Sequence, residues 1–180
     1  MRITKENTIG LVIDIQERLV PAMFEKETLL KNCQTLISGL NELGVQLVVT
    51  QQYTKGLGDT AEEIRDVIAG FNYIEKRDFS CCDEPMFTEK LKDLNAKNII
   101  ICGIESHVCV LQTAVDLKAA GYNPVVVMDC VSSRVQASIE IAKERFRFEG
   151  IMMTSCESIL FELTRSAASP EFKAISKLVK

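Results

Sequence analysis

A cysteine, an aspartate and a lysine stand where a parallel sheet would bring them together. Cys109 follows the apolar run 99–102 through a loop that begins at Gly103, and it falls in the first turn of the helix expected next. Backbone N–H groups and the helix dipole favour a thiolate there, and a nearby ammonium would favour it further. Cys109 is therefore a candidate nucleophile, although its position alone fits a small buried residue like Cys102 equally well.

Asp14 and Lys76 are the candidate partners of this thiol. Asp14 ends the apolar run 9–13, where a desolvated carboxylate is suited to proton transfer. It could instead cap a helix around residues 18–24. Lys76 could hold Asp14 in place, or it could be a solvated residue of the charged run 75–78. The three residues indicate a catalytic site only when they are taken together.

Three segments resemble the isochorismatase-like superfamily of cysteine hydrolases, and the resemblance covers nearly the whole chain. The first is an Asp-x-Gln at the end of the first apolar run, the second is a Lys followed by a Ser near mid-chain, and the third runs from Gly103 to Val110. The last is the most specific and is similar to isochorismatase-domain proteins whose substrates are poorly defined. In order, the residues are Asp14-Ile15-Gln16, then Lys76 and Ser80, then Gly103-Ile104-Glu105-Ser106-His107-Val108-Cys109-Val110.

The resemblance implies a catalytic triad of Asp14, Lys76 and Cys109 in a homo-oligomer. It also implies a cis peptide bond before Glu105, which would aim the Glu105 N–H beside the Cys109 N–H as an oxyanion hole. The implied reaction is acyl transfer from a small amide or carbamoyl compound, in which Asp14 takes the thiol proton and water hydrolyses the thioester. Isochorismatases proper cleave a vinyl ether without needing this cysteine, so its presence favours amidohydrolase chemistry.

A competing interpretation is an oligomeric binding or scaffold protein whose triad turns nothing over. Metal chemistry is not expected, because the nicotinamidase branch of the superfamily is recognised by an Asp and two His residues that suit a divalent transition metal. The chain has one histidine, His107, which we interpret as a packing or subunit-contact residue. The region that corresponds to the metal site reads Gln51-Gln52-Tyr53-Thr54-Lys55. We expect no metal and no other cofactor.

Short apolar runs that alternate with helical patterns must position these residues. The alternation predicts a three-layer α/β/α domain over residues 1–180, with a doubly wound, Rossmann-like, six-stranded parallel sheet. Ligands bind at the carboxyl ends of such strands, which is where the three candidates fall. The predicted strands are 9–13, 45–49, 73–74, 99–102, 125–128 and 151–153, and the predicted helices are 25–43, 60–69, 85–94, 106–120 and 132–148, with one more after Pro170.

Composition narrows the class of protein. The 180 residues are 47% hydrophobic, which suits one globular domain. A net charge of −4 without basic runs argues against nucleic acid as a partner, and no apolar run approaches the roughly 18 residues of a membrane span. Seven cysteines without a CxxC pair indicate a reducing, cytoplasmic location. A small molecule is the expected partner.

Overall fold

The computed structural model describes residues 2–180 and is built on one parallel sheet. Its strands lie in the order β3-β2-β1-β4-β5-β6, and every neighbouring pair runs parallel. The predicted three-layer, doubly wound fold with six strands is confirmed. The strands are β1 (Thr8–Ile13), β2 (Gln46–Gln52), β3 (Ile74–Lys76), β4 (Asn98–Ile104), β5 (Asn123–Ser132) and β6 (Met152–Thr154).

Helices cover both faces of this sheet because its central strands are apolar on both sides. Alternate residues of β1 point to opposite layers: Val12 packs with the helices that cover one face of the sheet, whereas Leu11 packs with those that cover the other face. No helix within residues 2–180 is long and apolar enough to cross a membrane. The helices are α1 (Lys26–Glu42), α2 (Thr54–Leu57), α3 (Glu62–Arg65), α4 (Pro85–Asp93), α5 (Leu111–Ala119), α6 (Gln136–Phe148), α7 (Cys156–Thr164) and α8 (Phe172–Leu178).

Several element bounds differ from those predicted. β5 continues to Ser132 after an irregularity in its pairing with β4, so α6 begins at Gln136 and not at residue 132. The helix predicted from residue 106 opens with a π turn, Ser106–Val110, before α5. Helix α7 is not predicted by the sequence. Its N-terminus is bonded by Asp129, whose Oδ1 accepts the Cys156 N–H at 2.8 Å.

Strand order places the ends of β1 and β4 at the centre of the molecule. The chain winds outwards in opposite directions from these two strands, which creates the crevice where ligands bind in such folds. Gly103 allows the two ends to approach closely. It has a φ of 132°, and a Cβ atom there would lie 2.1 Å from the Ile13 carbonyl oxygen.

Candidate active site

A buried ion pair joins the ends of β1 and β3. Lys76 Nζ lies 2.7 Å from Asp14 Oδ2, and both side chains are 0% exposed. Removing two charges from water costs several kcal/mol per ion, and their attraction offsets this only in good geometry. A buried ion pair of this kind is therefore weak evidence for a purely stabilising role.

Further polar groups satisfy the Lys76 ammonium. It donates to Gln52 Oε1 at 2.7 Å, to the Phe79 carbonyl at 3.1 Å and to the Asp78 carbonyl at 3.2 Å. Burial is the largest single effect and opposes the ammonium charge, but the Asp14 carboxylate and the other neighbouring groups together raise the pKa of Lys76 above its usual range. Lys76 is therefore a fixed positive charge and is not the solvated residue that its charged neighbours allowed.

The two oxygens of Asp14 have different surroundings. Thr50 Oγ1 donates to Oδ1 at 2.8 Å, which fixes the orientation of the carboxylate. No residue among 2–180 makes a well-directed hydrogen bond to Oδ2, which lies 2.7 Å from the Lys76 ammonium. Asp14 has a φ of 52°, an uncommon conformation that Asp tolerates better than most residues. One carboxylate oxygen thus keeps a free lone pair for a proton.

Cys109 completes this cluster, which we call the candidate triad: Asp14, Lys76 and Cys109. Cys109 lies in the π turn after β4 and is 7% exposed, whereas the other two side chains are closed to solvent. Its thiol is a near neighbour of both Asp14 and Lys76, whose charges act on its pKa in opposite directions. The structure therefore brings together all three residues singled out in the sequence.

The resting state of Cys109 differs from the thiolate expected from its place at a helix start. Burial is the main cause that raises the pKa of the Cys109 thiol to about 12, and the neighbouring Asp14 charge acts in the same direction. The Lys76 ammonium opposes both effects without overcoming them. Cys109 is therefore a neutral thiol at pH 7, and its proton must leave during nucleophilic attack.

The backbone beside Cys109 is arranged around two amide groups. The peptide bond between Ile104 and Glu105 is cis. The Glu105 carbonyl accepts the Val108 N–H at 3.0 Å and the Val110 N–H at 3.3 Å. Neither of these bonds uses the N–H of Cys109, which lies between the two donors in the sequence. The Glu105 and Cys109 amides are the two groups that the resemblance implies for an oxyanion hole.

Three further residues lie around the triad, and of these Thr50 carried no recognisable signal in the sequence. Thr50 and Gln52 belong to β2, and each bonds a charged member of the triad. Cys81 is fully buried, and its Sγ lies 3.9 Å from Thr50 Oγ1. Burial and the Asp14 charge raise the pKa of Cys81 to about 12, so this second thiol is also neutral. The register of β2 between β1 and β3 is what selects Thr50 and Gln52.

Residues 51–55 correspond to the metal site of the nicotinamidase branch, and the polar side chain of Gln51 in this segment is occupied by hydrogen bonds within the protein. Gln51 Nε2 donates to Thr60 Oγ1 at 3.0 Å, and Gln51 Oε1 accepts from Thr54 Oγ1 at 2.8 Å. Within residues 2–180, no three His, Cys, Asp or Glu side chains are grouped so that they could hold a metal ion. His107 Nδ1 lies 2.8 Å from Ser133 Oγ, which gives the histidine a packing partner.

Comparison with known proteins identifies relatives along nearly the whole chain. The isochorismatase domain family model matches residues 8–158. The secreted isochorismatase effector Isc1 of Phytophthora sojae is 36% identical over 99% of this chain and 87% of its own length.

Solved structures of other proteins share this fold over nearly the whole chain. A structure described as the MAR1 ribonuclease of Caenorhabditis elegans is 34% identical, covers 99% of this chain and 92% of its own, and superimposes with a TM-score of 0.94. The YcaC gene product of Escherichia coli, described as an octameric hydrolase of unknown specificity, is 20% identical with a TM-score of 0.93. It covers 99% of this chain and 89% of its own, and at this identity the likeness concerns the fold alone.

Proposed function

The chain belongs to the isochorismatase family, and we propose that it is a cysteine hydrolase that cleaves a small amide, carbamoyl compound or related acyl substrate. The observation that carries the proposal is the solvent-excluded Asp14–Lys76 ion pair beside the Cys109 thiol. Proton transfer to a buried base is the one step that a neutral thiol needs before it can attack a carbonyl group.

In the proposed mechanism, Asp14 Oδ2 accepts the Cys109 proton as Sγ attacks the carbonyl carbon. The tetrahedral intermediate places its negative oxygen between the Glu105 and Cys109 amides, where each N–H donor would contribute roughly 3 kcal/mol to the transition state. Asp14 then returns the proton to the leaving amine. Lys76 keeps the carboxylate in place and stabilises its negative charge before the transfer. Water, activated by Asp14, hydrolyses the thioester and restores the thiol.

The near-complete burial of the thiol favours a small substrate. Cys109 is 7% exposed, and the side chains of Asp14 and Lys76 are closed to solvent. A compact acyl group therefore fits the proposal better than a polymer does. A ribonuclease activity, which the name of the Caenorhabditis elegans relative raises, is a second candidate. The net charge of −4 does not favour the approach of a polyanion.

The proposal is tested with a panel of small amides, carbamoyl compounds and esters, assayed for release of amine or acid. The wild type is compared with Cys109→Ala and with Cys82→Ala, which removes a half-buried thiol outside the triad. We expect turnover by the wild type and Cys82→Ala only. Hydrolysis of an authentic substrate at equal rates by Cys109→Ala would refute covalent catalysis, and Cys109-dependent cleavage of RNA would favour the second candidate.

We also propose a homo-oligomer in the cytoplasm. All seven cysteines are free, which suits a reducing compartment. The exposed apolar side chains Ile141 and Phe148 lie about two turns apart on the same side of α6, and the octamer of the Escherichia coli protein shows that this fold can assemble. Light scattering of the purified protein tests the assembly: a mass equal to that of one chain would contradict it.

A further inference from the structure

A short segment after β5, residues 133 and 134, bonds the loop that carries the two oxyanion amides. Arg134 reaches the Glu105 carboxylate twice. Its backbone N–H donates to Glu105 Oε2 at 3.0 Å, and its Nε donates to the same oxygen at 3.1 Å. The Glu105 side chain is 13% exposed and that of Arg134 is 65% exposed. The carboxylate of Glu105 is therefore turned towards Arg134.

Ser133 holds the next two residues of the same loop. Its hydroxyl lies 2.5 Å from Ser106 Oγ and 2.8 Å from His107 Nδ1, and both serines are fully buried. The Ser133 carbonyl accepts the Phe24 N–H at 2.9 Å, which anchors the segment to the body of the domain. Residues 133 and 134 thus bond three consecutive residues, 105 to 107.

Glu105 is fixed from two sides by these contacts. Its carbonyl accepts two amides of the π turn, and its carboxylate is held by Arg134. The remaining polar group of Glu105 is its N–H, the proposed oxyanion donor. A donor contributes to the transition state only when it already points at the position that the oxyanion will occupy, so small displacements of Glu105 reduce the rate.

We propose that Arg134 is a positioning residue for the oxyanion hole, acting through the Glu105 carboxylate. The inference rests on the proposed cysteine hydrolase function. Because Arg134 is mostly exposed, its ion pair adds little to the stability of the fold. The loss of Arg134 should therefore appear in the rate of a reaction that forms an oxyanion, and not in the unfolding of the protein.

Two reactions of the Cys109 thiol distinguish an effect on the oxyanion hole from an effect on the thiol itself, and neither needs a natural substrate. Acylation of Cys109 by p-nitrophenyl acetate passes through a tetrahedral oxyanion: Asp14 takes the thiol proton, Sγ bonds the carbonyl carbon, and p-nitrophenolate leaves with the electron pair of the broken C–O bond. Alkylation by iodoacetamide forms no oxyanion: Asp14 takes the thiol proton, Sγ bonds the methylene carbon, and iodide leaves with the electron pair of the broken C–I bond. We expect Arg134→Ala to lower the acylation rate about tenfold and to leave the alkylation rate and the urea midpoint unchanged.

Matched variants complete the experiment. Arg134→Lys should recover part of the acylation rate, because an ammonium can still bond Glu105. Arg145→Ala removes a similar exposed pair, Arg145 Nε to Glu149 Oε1 at 2.8 Å on α6, and should change neither rate. Equal acylation rates in wild type and Arg134→Ala, or a parallel fall in both reactions, would overturn the positioning role alone. Acylation of the wild type no faster than that of Cys109→Ala would overturn the proposed function itself.

Discussion

Lys76 Nζ and Asp14 Oδ2 are 2.7 Å apart in an environment that excludes solvent from both side chains. Removing one partner of such a pair leaves the other charge buried without compensation. Lys76→Met should therefore lower the free energy of unfolding by about 3–5 kcal/mol, measured by urea denaturation at neutral pH.

Two further variants check this explanation. The double variant Asp14→Asn with Lys76→Met should recover much of the loss, because it leaves no buried charge. Lys143→Met breaks the exposed pair with Glu140, whose atoms lie 3.6 Å apart, and should cost less than about 1 kcal/mol. Equal losses for Lys76→Met and Lys143→Met would show that the buried pair does not hold Asp14.

The two buried cysteines at 102 and 109 should respond oppositely to truncation. Cys109→Ala should reduce turnover at least about 1000-fold with little change in stability, since the nucleophile is lost and the π turn remains. Cys102→Ala should keep activity and cost about 1 kcal/mol, because Cys102 packs in the central strand β4. Activity assays and urea titrations of both variants give the comparison, and full activity of Cys109→Ala is the result that contradicts it.

The raised pKa of Cys109 predicts a loss of stability at alkaline pH. Burial and the Asp14 charge put the pKa at about 12 in the folded protein, against an ordinary value of 9.0. The unfolded chain therefore releases this proton first, so the contribution is complete below about pH 9 and is lost as the pH rises towards 12.

Urea titrations between about pH 8 and pH 11 measure this loss. The wild type should lose roughly 1 kcal/mol more per pH unit than Cys109→Ala does above pH 9, because the variant lacks the titrating thiol. Groups remote from Cys109 titrate equally in both proteins, so the difference reports the thiol together with its effect on the neighbouring Lys76. Parallel pH profiles would mean that the thiol is not shielded in the folded state.

Activity should survive removal of metals. The side chain that would extend a metal site from β2, Gln52, has its oxygen bonded to Lys76, and a fixed ammonium repels a cation at that place. Dialysis against a strong chelator should leave turnover unchanged, and metal analysis before dialysis should find less than stoichiometric zinc or iron. Activity that is lost on chelation and restored by a metal would contradict this expectation.

Gly103→Ala should damage both stability and activity. The new methyl group would meet the Ile13 carbonyl oxygen, and the φ of 132° is unfavourable for Ala. We expect a loss of about 2–4 kcal/mol in urea denaturation. Gly44→Ala is the matched control: its φ is 70° but no atom lies within 4 Å of the new methyl group, so only about 1 kcal/mol should be lost. Similar losses of unfolding free energy in Gly103→Ala and Gly44→Ala would contradict the close approach of Gly103 to Ile13.

The sheet could be predicted because its strands are apolar on both faces and are separated by helical patterns. β3 was the weakest prediction, since only Ile74 of its three residues is apolar and the pairing of Lys76 with Gln52 depends on the neighbouring strand. Helix α7 was missed although it carries a local signal, since Ser155 Oγ accepts the Ser158 N–H at 3.3 Å as an N-cap. The second bond to its first turn comes from Asp129 of β5, 27 residues away, and leaves no local pattern.

The candidate triad is predicted by the resemblance together with the position of its residues at strand ends, but the protonation state of Cys109 is not. Its pKa depends on how deeply the thiol is buried and on how close Asp14 lies, and both are properties of packing. The role of Thr50 was equally invisible, because a threonine in a strand is ordinary until the register sets it beside Asp14. The contact of Arg134 with Glu105 joins two loops and likewise follows from the fold.

The Asp14–Lys76 pair joins two strands that are not neighbours in the sheet, since β2 lies between them. β3 has only three residues at the sheet edge, so its backbone pairing alone specifies its register weakly. A slip of one residue would turn the Lys76 side chain to the opposite face and leave the Asp14 carboxylate buried without its partner. The ion pair therefore specifies the register of β3 at the sheet edge. A chain that pairs β3 in the wrong register loses both the stability of the ion pair and the candidate triad.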